Sequence, residues 1–257
     1  MLYQPLPYQP LKDQVAFITG GARGIGRAIA KKLAQAGANI AVNYYNSVDE
    51  AESLCQELRD MGVEAISIHG SVADPVSIKE MAATVEQTYG RLDILVSNAA
   101  SGVLKPMMQM GLKHWRWCME TNALALPLLV KETLHLMKAG SRVFALTSLG
   151  SERAIPDYGF IGASKAALES LVRSLSVELA PEGICLNAIS AGAVDTDALK
   201  YFPEHDRLIS EAKERSLAGR IVEPEDVANV LYLLTLPEAQ MIRGQTIYVD
   251  AGYNIIG

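Results

Sequence analysis

The chain has 257 residues, enough for one large α/β domain, and its 49% hydrophobic and 20% charged content is that of an ordinary globular protein. Its formal net charge of −6 argues against nucleic acid as the main partner, because a phosphate backbone requires a basic protein face. No apolar run approaches the length that spans a bilayer, so we expect no membrane partner.

Cysteine, histidine and proline usage excludes further classes. The three cysteines are widely spaced and odd in number, which favours the reducing cytoplasm over a disulfide framework. The four histidines are equally scattered, so we expect no metal site. Residues 1–10 contain three prolines but neither a basic start nor an apolar run, which predicts an extended arm rather than a signal peptide. The folded domain is then predicted at residues 11–257.

From Val15 onward, short β-rich apolar runs alternate with helical periods, a pattern typical of a parallel sheet with helices on both faces. The predicted strands are residues 15–19, 39–45, 65–71, 93–100, 142–148, 184–190 and 246–250. The predicted helices lie at about 25–36, 48–61, from 75, 112–138, 158–179 and 224–236. No internal repeat or linker interrupts this alternation, which favours a single domain.

A polar, irregular stretch at about 191–220 follows the sixth predicted strand and contains a helical portion. Ligands of such sheets bind beyond the carboxyl ends of the strands, and this stretch leaves one of those ends. We therefore expect it to form a lid over the substrate.

A glycine-rich loop connects the first strand to its helix. Glycines there permit a tight turn and close approach of the backbone to a pyrophosphate, while the helix N-terminus offers free N–H groups. The alternative is a tight strand-to-helix turn with no ligand. Its place at the start of an alternating chain favours dinucleotide binding, by Gly20, Arg23, Gly24, Ile25 and Gly26.

The phosphate state of the cofactor is predicted from the second strand. NAD sites usually carry an acid at its end, for the ribose 2′-hydroxyl, but this chain reads Asn43-Tyr44-Tyr45-Asn46. Arg23 in the loop offers a guanidinium to a phosphate, although it could also be a solvated loop charge. The balance favours NADPH over NADH.

Tyr158 and Lys165 are the strongest candidates for catalysis. Seven helical residues turn through about 700°, which returns both side chains to nearly one face with Cα atoms about 10 Å apart. Pro156 and Gly159 place Tyr158 on the approach to the helix or in its first turn. A core aromatic and a surface lysine are the alternatives. Together the pair predicts the catalytic segment of a nicotinamide-dependent reductase.

Motifs along nearly the whole chain, from about Leu11 to Gly252, resemble the short-chain dehydrogenase/reductase family. They are the glycine loop, Asn98-Ala99-Ala100, Asn122, Ser148, the Tyr158/Lys165 pair and Arg243-Gly244-Gln245 with Asp250-Ala251-Gly252. The resemblance implies an α/β, single-domain, Rossmann-like fold with a doubly wound parallel sheet of about seven strands. It also implies metal-free, nicotinamide-dependent redox chemistry and, usually, a homotetramer.

The chain departs from the commonest pattern of that family at Ile161. Ordinary members carry their catalytic tyrosine there, four residues before the lysine, and isoleucine cannot donate a proton. The longer spacing of Tyr158 resembles the enoyl-acyl-carrier-protein reductase branch, and stretches such as 98–104 and 148–151 most resemble its NADPH-using type III enzymes of bacteria. The main type has a second tyrosine where this chain has Ser148, which leaves Ser148 as a substrate or cofactor contact or as a strand cap.

The resemblance also implies roles for individual residues. Lys165 would hold the nicotinamide ribose, and we hypothesise that Tyr158 stabilises an enolate at the thioester oxygen. Further cofactor contacts are implied at Val72, Asn98, Ala99, Gly192 and Thr196. An acyl channel or a subunit interface is an option for a group of large side chains, although we expect most to be buried packing: Met107, Met108, Met110, Trp115, Trp117 and Met119.

The leading hypothesis is a cytoplasmic, NADPH-dependent reductase of trans-2-enoyl thioesters in fatty-acid elongation. Its substrate would be presented by acyl carrier protein or coenzyme A. A ketone or 3-oxoacyl thioester reductase on the same fold is the second hypothesis. A catalytically silent NADP-binding protein is the third.

Overall fold

The structure is a computed structural model that describes residues 8–194, 196 and 205–256. Most of the predicted arm at 1–10, and residues 195 and 197–204 of the predicted lid, lie outside these ranges. Within them, Leu11 is buried at 1% exposure and its N–H donates to the carbonyl of Ala36. The chain is therefore anchored to the fold from this residue onward.

Seven parallel strands form one sheet, as the sequence predicts. The strands are β1 (Val15–Ile18), β2 (Asn39–Tyr44), β3 (Ala65–His69), β4 (Ile94–Ser97), β5 (Arg142–Ser148), β6 (Cys185–Ala191) and β7 (Thr246–Val249). Their order across the sheet is β3-β2-β1-β4-β5-β6-β7. The direction of winding reverses between β1 and β4, and in sheets of this kind ligands bind in the crevice at that reversal.

Eight α-helices cover the two faces of the sheet within the described ranges. They are α1 (Gly24–Gln35), α2 (Val48–Asp60), α3 (Pro75–Tyr89), α4 (Leu112–Met119), α5 (Ala125–Thr133), α6 (Gly159–Leu179), α7 (His205–Arg215) and α8 (Pro224–Thr235). One core packs α1, α2 and α8 on the sheet, and the other packs α3, α5 and α6. Strands covered on both faces become continuous apolar runs, as in fully buried β1.

The prediction that the segment 112–138 is helical is confirmed as far as Leu136, although the helix is not regular throughout. The α4 helix ends at Met119, residues Glu120–Leu124 form a π-helical turn, α5 follows, and a 3₁₀ turn at Leu134–Leu136 ends the segment. Asn122 in the wide turn bonds both backbone groups of Ser101, at 2.8 Å each. Tertiary contacts of this kind favour an inserted residue, which the 3.6-residue periodicity of apolar side chains does not reveal.

None of the helices described within 8–194 and 205–256 is both long enough and apolar enough to cross a membrane. The longest, α6, carries the buried polar residues Lys165 and Glu169 on its sheet-facing side.

Candidate active site

The glycine loop after β1 is shaped by contacts that leave no space for side chains. Gly20 has φ of +59°, and a Cβ there would lie 2.9 Å from the Cα of Ala99. A Cβ on Gly26 would lie 2.5 Å from the carbonyl oxygen of Gly20. Glycine is therefore required at both positions by backbone geometry. The resulting loop exposes main chain at the N-terminus of α1, as a phosphate cradle requires.

Side chains from neighbouring strands hold this loop. Asn98 donates from Nδ2 to the carbonyls of Thr19 (2.9 Å) and Gly20 (3.0 Å), while Thr19 Oγ1 accepts from the N–H groups of Asn98 and Ala99. The buried Asn43 accepts from the Gly20 N–H through Oδ1. Asn98 thus fixes the loop, and its direct contact with a cofactor stays a prediction.

Positive charge at the loop comes from Arg23. It is exposed, caps α1 with an extended backbone, and has no acidic partner among the residues that the structure describes. The first turn of α1 also contains no acidic residue, so the partial positive charge of the helix end is not offset locally. Arg27 and Lys31, one and two turns further along, instead pair with Glu57.

The end of β2 offers aromatic groups in place of a carboxylate. Tyr45 stacks on His69 with ring centroids 5.8 Å apart, and Tyr44 contacts the same ring at 5.5 Å. Asn43 accepts a hydrogen bond from the Gly20 N–H of the loop and donates one to the carbonyl of Gly70. No acidic side chain follows β2 before Asp49, so nothing here repels a 2′-phosphate.

The remaining predicted cofactor residues surround the same crevice. A Cβ on Gly24 would lie 3.3 Å from Cγ2 of Thr196, which brings the segment after β6 against the loop after β1. The N–H of Gly192 donates to Val249, and Val72 is buried at 6% exposure after β3. The carboxyl ends of four strands thus meet here, but contact with a ligand stays a prediction for these residues.

Tyr158 and Ser148 are brought together by the fold. Ser148 ends β5, Tyr158 is the N-cap residue of α6, and their hydroxyl oxygens lie 3.1 Å apart. Burial raises the pKa of Tyr158, whereas its hydrogen bond with Ser148 lowers it. A phenol next to a hydroxyl at the carboxyl edge of the sheet can act as a positioned hydrogen-bond donor.

The position of the Tyr158 ring depends on two glycines. A Cβ on Gly150 would lie 2.5 Å from the ring, and a Cβ on Gly162 would lie 2.5 Å from the carbonyl oxygen of Gly150. Ile161 is nearly buried and its side chain would clash, at 2.3 Å, with a Cβ on Gly102. The ring of Tyr158 is therefore accommodated over Gly150, while Ile161 is apolar packing.

Lys165 lies on α6, seven residues after Tyr158, and is only 6% exposed. Its ammonium donates to the carbonyl of Leu146 at 2.7 Å. Burial lowers the pKa of Lys165 to about 8, and the negative charge of Glu169 opposes that change. A buried lysine whose pKa is lowered in such a cleft is a functional-site candidate rather than a surface lysine.

The prediction that most of the methionine and tryptophan group is buried packing is wrong. Met108 is 97% exposed, Met107 53%, Trp117 43% and Trp115 37%, because both the segment before α4 and one face of α4 lie on the surface. Trp115 meets the ring of Phe160 edge-on at 5.4 Å, and Met107 lies against Gly159. These side chains therefore border the approach to Tyr158.

Sequence reasoning gave no supporting role to three residues that hold the site together. Asn43 and Gly150 are named above, and Asn122 was recognised only as a family motif. Its Nδ2 also bonds Ser164 Oγ at 2.9 Å, which ties the π-helical turn to α6 one residue before Lys165.

A cavity of about 290 Å³ lies at the opposite, amino edge of the sheet, between Leu11, Arg142 and Arg243. No residue of the glycine loop or of the Ser148–Lys165 segment lines it. The polar groups and the strand ends therefore place the candidate active site at the carboxyl edge, and not at this cavity.

Comparison with known proteins gives the wider context of this geometry. A family model described as Enoyl-(Acyl carrier protein) reductase matches residues 20–254. The 1-cyclohexenylcarbonyl-CoA reductase of Streptomyces collinus is 35% identical over 247 residues, covering 95% of this chain and 88% of that protein. The 3-oxoacyl-[acyl-carrier-protein] reductase FabG of Staphylococcus epidermidis is 34% identical over 244 residues, covering 93% and 98%.

Among solved structures, a short chain dehydrogenase from Burkholderia cenocepacia in complex with NADP is 29% identical and superposes with a TM-score of 0.89. The match covers 95% of this chain and 99% of that one. The similarity therefore extends over nearly the whole chain, and the range of the family model includes both the glycine loop from Gly20 and the Tyr158 segment.

Proposed function

The chain belongs to the short-chain dehydrogenase/reductase family, and from that premise we propose that it reduces the carbon–carbon double bond of a trans-2-enoyl thioester with NADPH. The observation that carries the proposal is the 3.1 Å distance between the hydroxyl oxygens of Tyr158 and Ser148, together with the burial of Lys165 on the same helix. Ile161, where ordinary members of the family carry their tyrosine, is an apolar packing residue.

The residues of the crevice fit NADPH. Gly20 and Gly26 form a backbone-lined cradle that a Cβ would fill, and the N–H groups at the start of α1 suit a pyrophosphate. Arg23 has no acidic partner among the described residues and would pair with the 2′-phosphate. NADPH, when bound, supplies a hydride to the substrate. The structural neighbour from Burkholderia cenocepacia contains NADP in the same fold.

The protein side of the reaction is electrostatic. When hydride reaches the β-carbon of an enoyl thioester, negative charge develops on the thioester oxygen. Tyr158 donates a hydrogen bond to that oxygen and stabilises the enolate, while Ser148 orients the phenol from 3.1 Å. Lys165 binds the ribose hydroxyls through its ammonium, and a proton from solvent taken up at the α-carbon of the enolate completes the reduction.

Substrate presentation follows from the approach to Tyr158. The exposed apolar side chains of Met107 and Trp115 border it and would contact the acyl chain. The thioester is presented by acyl carrier protein or by coenzyme A. We also propose a cytoplasmic homotetramer, whose subunit contacts would cover exposed apolar residues such as Leu124 and Val177. Sedimentation equilibrium of the purified chain tests the assembly.

A second function, reduction of a 3-oxoacyl thioester, is favoured by the similarity to the FabG enzyme of Staphylococcus epidermidis. The relative from Streptomyces collinus favours the first, because the 1-cyclohexenylcarbonyl-CoA of its name has a ring double bond beside a thioester carbonyl. In a ketone reduction, the carbonyl carbon would receive the hydride and Tyr158 would protonate the carbonyl oxygen.

The experiment compares NADPH oxidation with crotonyl and acetoacetyl thioesters, each on coenzyme A and on acyl carrier protein. We expect turnover of the crotonyl substrates, and a loss of about 100-fold in kcat for Tyr158→Phe. Tyr8→Phe, at an exposed tyrosine, is the control and keeps wild-type turnover. Activity with acetoacetyl substrates alone would establish the second function. NADPH binding with no turnover of either would indicate a silent binding protein.

A further inference from the structure

A buried carboxylate lies directly beneath the catalytic segment. Glu169 is one helical turn after Lys165 on α6 and is only 6% exposed. Its Oε1 accepts a hydrogen bond of 2.7 Å from Oγ1 of Thr147, which is 5% exposed and immediately precedes Ser148 in β5. Burial of a carboxylate is unfavourable unless its charge and hydrogen bonds are compensated, so its presence here requires an explanation.

The polar surroundings of Glu169 continue across the sheet. Thr147, Ser190 and Tyr248 are register partners on β5, β6 and β7, so their side chains share the face covered by α6. Ser190 is fully buried and its Oγ has no hydrogen-bond partner within the described structure. Tyr248 is 36% exposed and hydrogen-bonds to Glu152, so the buried hydroxyl groups on this face near the catalytic segment are those of Thr147 and Ser190. Two buried hydroxyls and a carboxylate are unusual in an otherwise apolar core.

The negative charge of Glu169 also raises the pKa of Lys165 and so opposes the effect of burial. The lysine ammonium hydrogen-bonds to the Leu146 carbonyl rather than to a carboxylate, and its compensating negative charge comes from Glu169 through the low-dielectric interior. Other titratable groups face the same region from neighbouring elements. They are Tyr158 at the start of α6, Cys118 on α4, Glu152 after β5, and Tyr248 and Asp250 at the end of β7.

We propose that Glu169 is a positioning residue for the reaction: held by Thr147, its buried carboxylate keeps the ammonium of Lys165 charged and in place beneath Tyr158. This inference rests on the proposed function, because it assigns Glu169 to the machinery of the same site. No atom of Glu169 is required to touch the substrate or the cofactor. Thr147 links the position of Glu169 to that of Ser148, since the two residues are adjacent in β5.

The test is a pH titration of the lysine itself. Lysines of the ligand-free protein, labelled with ¹³C at Cε, are followed by NMR, and the signal of Lys165 is assigned by its absence from Lys165→Met. We expect Glu169→Gln, which preserves an acceptor for Thr147 but removes the charge, to move the titration of Lys165 toward acid by about one pH unit. The basic limb of the pH–kcat profile should move by the same amount.

Two further variants separate charge from structure. Glu178→Gln lies on the same helix but is exposed, so it should leave the Lys165 titration unchanged. Glu169→Asp retains the charge and should restore most of the wild-type titration. Thr147→Val removes the hydrogen bond that holds Glu169 and should shift the titration in the direction of Glu169→Gln, by less. If Glu169→Gln fails to fold, Thr147→Val provides the test of the proposal in its place.

A Lys165 titration that is identical in wild type and Glu169→Gln would overturn the proposal, as would an equal shift in Glu178→Gln. The NMR measurement needs neither cofactor nor substrate. If the wild-type chain reduced neither crotonyl nor acetoacetyl thioesters, the proposed function would fail while the titration still reported whether Glu169 controls Lys165.

Discussion

The two halves of the candidate site are built by different physical means. In the cofactor half, the loop after β1 is shaped by missing side chains, with Gly26 packed so that a Cβ would lie 2.5 Å from a backbone oxygen. In the catalytic half, the Ser148–Lys165 segment, function depends on three side chains that two elements bring together, namely Ser148 from β5 and Tyr158 and Lys165 from α6.

This difference predicts different responses to mutation. The cofactor loop has backbone in contact with backbone, and a backbone clash is relieved only by moving a strand or a helix. The catalytic segment has side chains held by single hydrogen bonds, so loss of one group changes chemistry without altering the fold. We therefore expect substitutions in the loop to impair binding, and those in the segment to impair turnover.

Gly26→Ala tests the cofactor half with the largest expected effect. Its methyl group would overlap the Gly20 carbonyl, so we expect NADPH affinity to fall about 100-fold and the melting temperature to decrease. Gly111→Ala is the control, because a Cβ there meets nothing within 4 Å. Fluorescence titration with NADPH gives the Kd, and a wild-type Kd for Gly26→Ala would contradict this account of the loop.

Lys165→Met tests the catalytic half and should lower kcat by about 100-fold. The same change should stabilise the fold. The pKa of Lys165 is lowered to about 8 by burial, so below that pH the unfolded chain holds this proton more strongly than the folded chain does. The cost to folding is full below pH 8 and is relieved as the pH rises toward the unfolded value of about 10.4.

Removing the ammonium should therefore increase the free energy of unfolding at pH 7 by about 1–3 kcal/mol, measured by urea denaturation. The gain should shrink between pH 8 and pH 10. Lys12→Met, at an exposed lysine, should show no such gain. A less stable Lys165→Met protein at pH 7 would show that the bond to Leu146 outweighs the cost of burying the charge.

Gly150→Ala tests whether the catalytic half also depends on a missing side chain. The added Cβ would lie 2.5 Å from the ring of Tyr158 and should displace its phenol from Ser148. We expect kcat to fall about 10-fold while the Kd for NADPH stays unchanged, because the cofactor loop is not touched. Equal losses in kcat and in NADPH affinity would mean that the two halves are not separable.

Arg23→Ala should have the smallest effect and should act on one cofactor only. Loss of a charge-assisted contact with the 2′-phosphate should raise the Kd for NADPH about 10-fold and leave that for NADH unchanged. Arg59→Ala, on α2 and bonded to the Ala65 carbonyl, serves as the charge-matched control. Equal weakening of both cofactors by Arg23→Ala would assign this arginine to the pyrophosphate instead.

Much of the fold was predictable from local pattern. Alternating β-rich and helical segments predicted the seven parallel strands, and the prediction is confirmed because strands buried on both faces must be continuously apolar. The segment 112–138 is helical as predicted, but the π-helical turn around Asn122 was not predictable because one extra residue in a turn changes no side-chain class. The expectation of burial for Met107 and Trp115 was wrong because hydrophobicity alone does not specify a partner surface.

The site was predictable only in part. The spacing of Tyr158 and Lys165 and the isoleucine at 161 identified a family and a departure from its common pattern. The roles of individual residues stay predictions until the experiments above are done. Neither periodicity nor motif indicated that Asn98 holds the glycine loop or that Glu169 is bound by Thr147, since these contacts join residues far apart in the chain.

The sequence by itself determined the order of strands and helices, the glycine loop and the tyrosine–lysine spacing, because each depends on residues close together in the chain. Only the tertiary structure decided that Tyr158 meets Ser148, that Lys165 is buried, and that a carboxylate lies beneath it. Those outcomes depend on how α6 packs against β5, and packing between distant segments sets the solvent exposure and charge environment that give each group its chemistry.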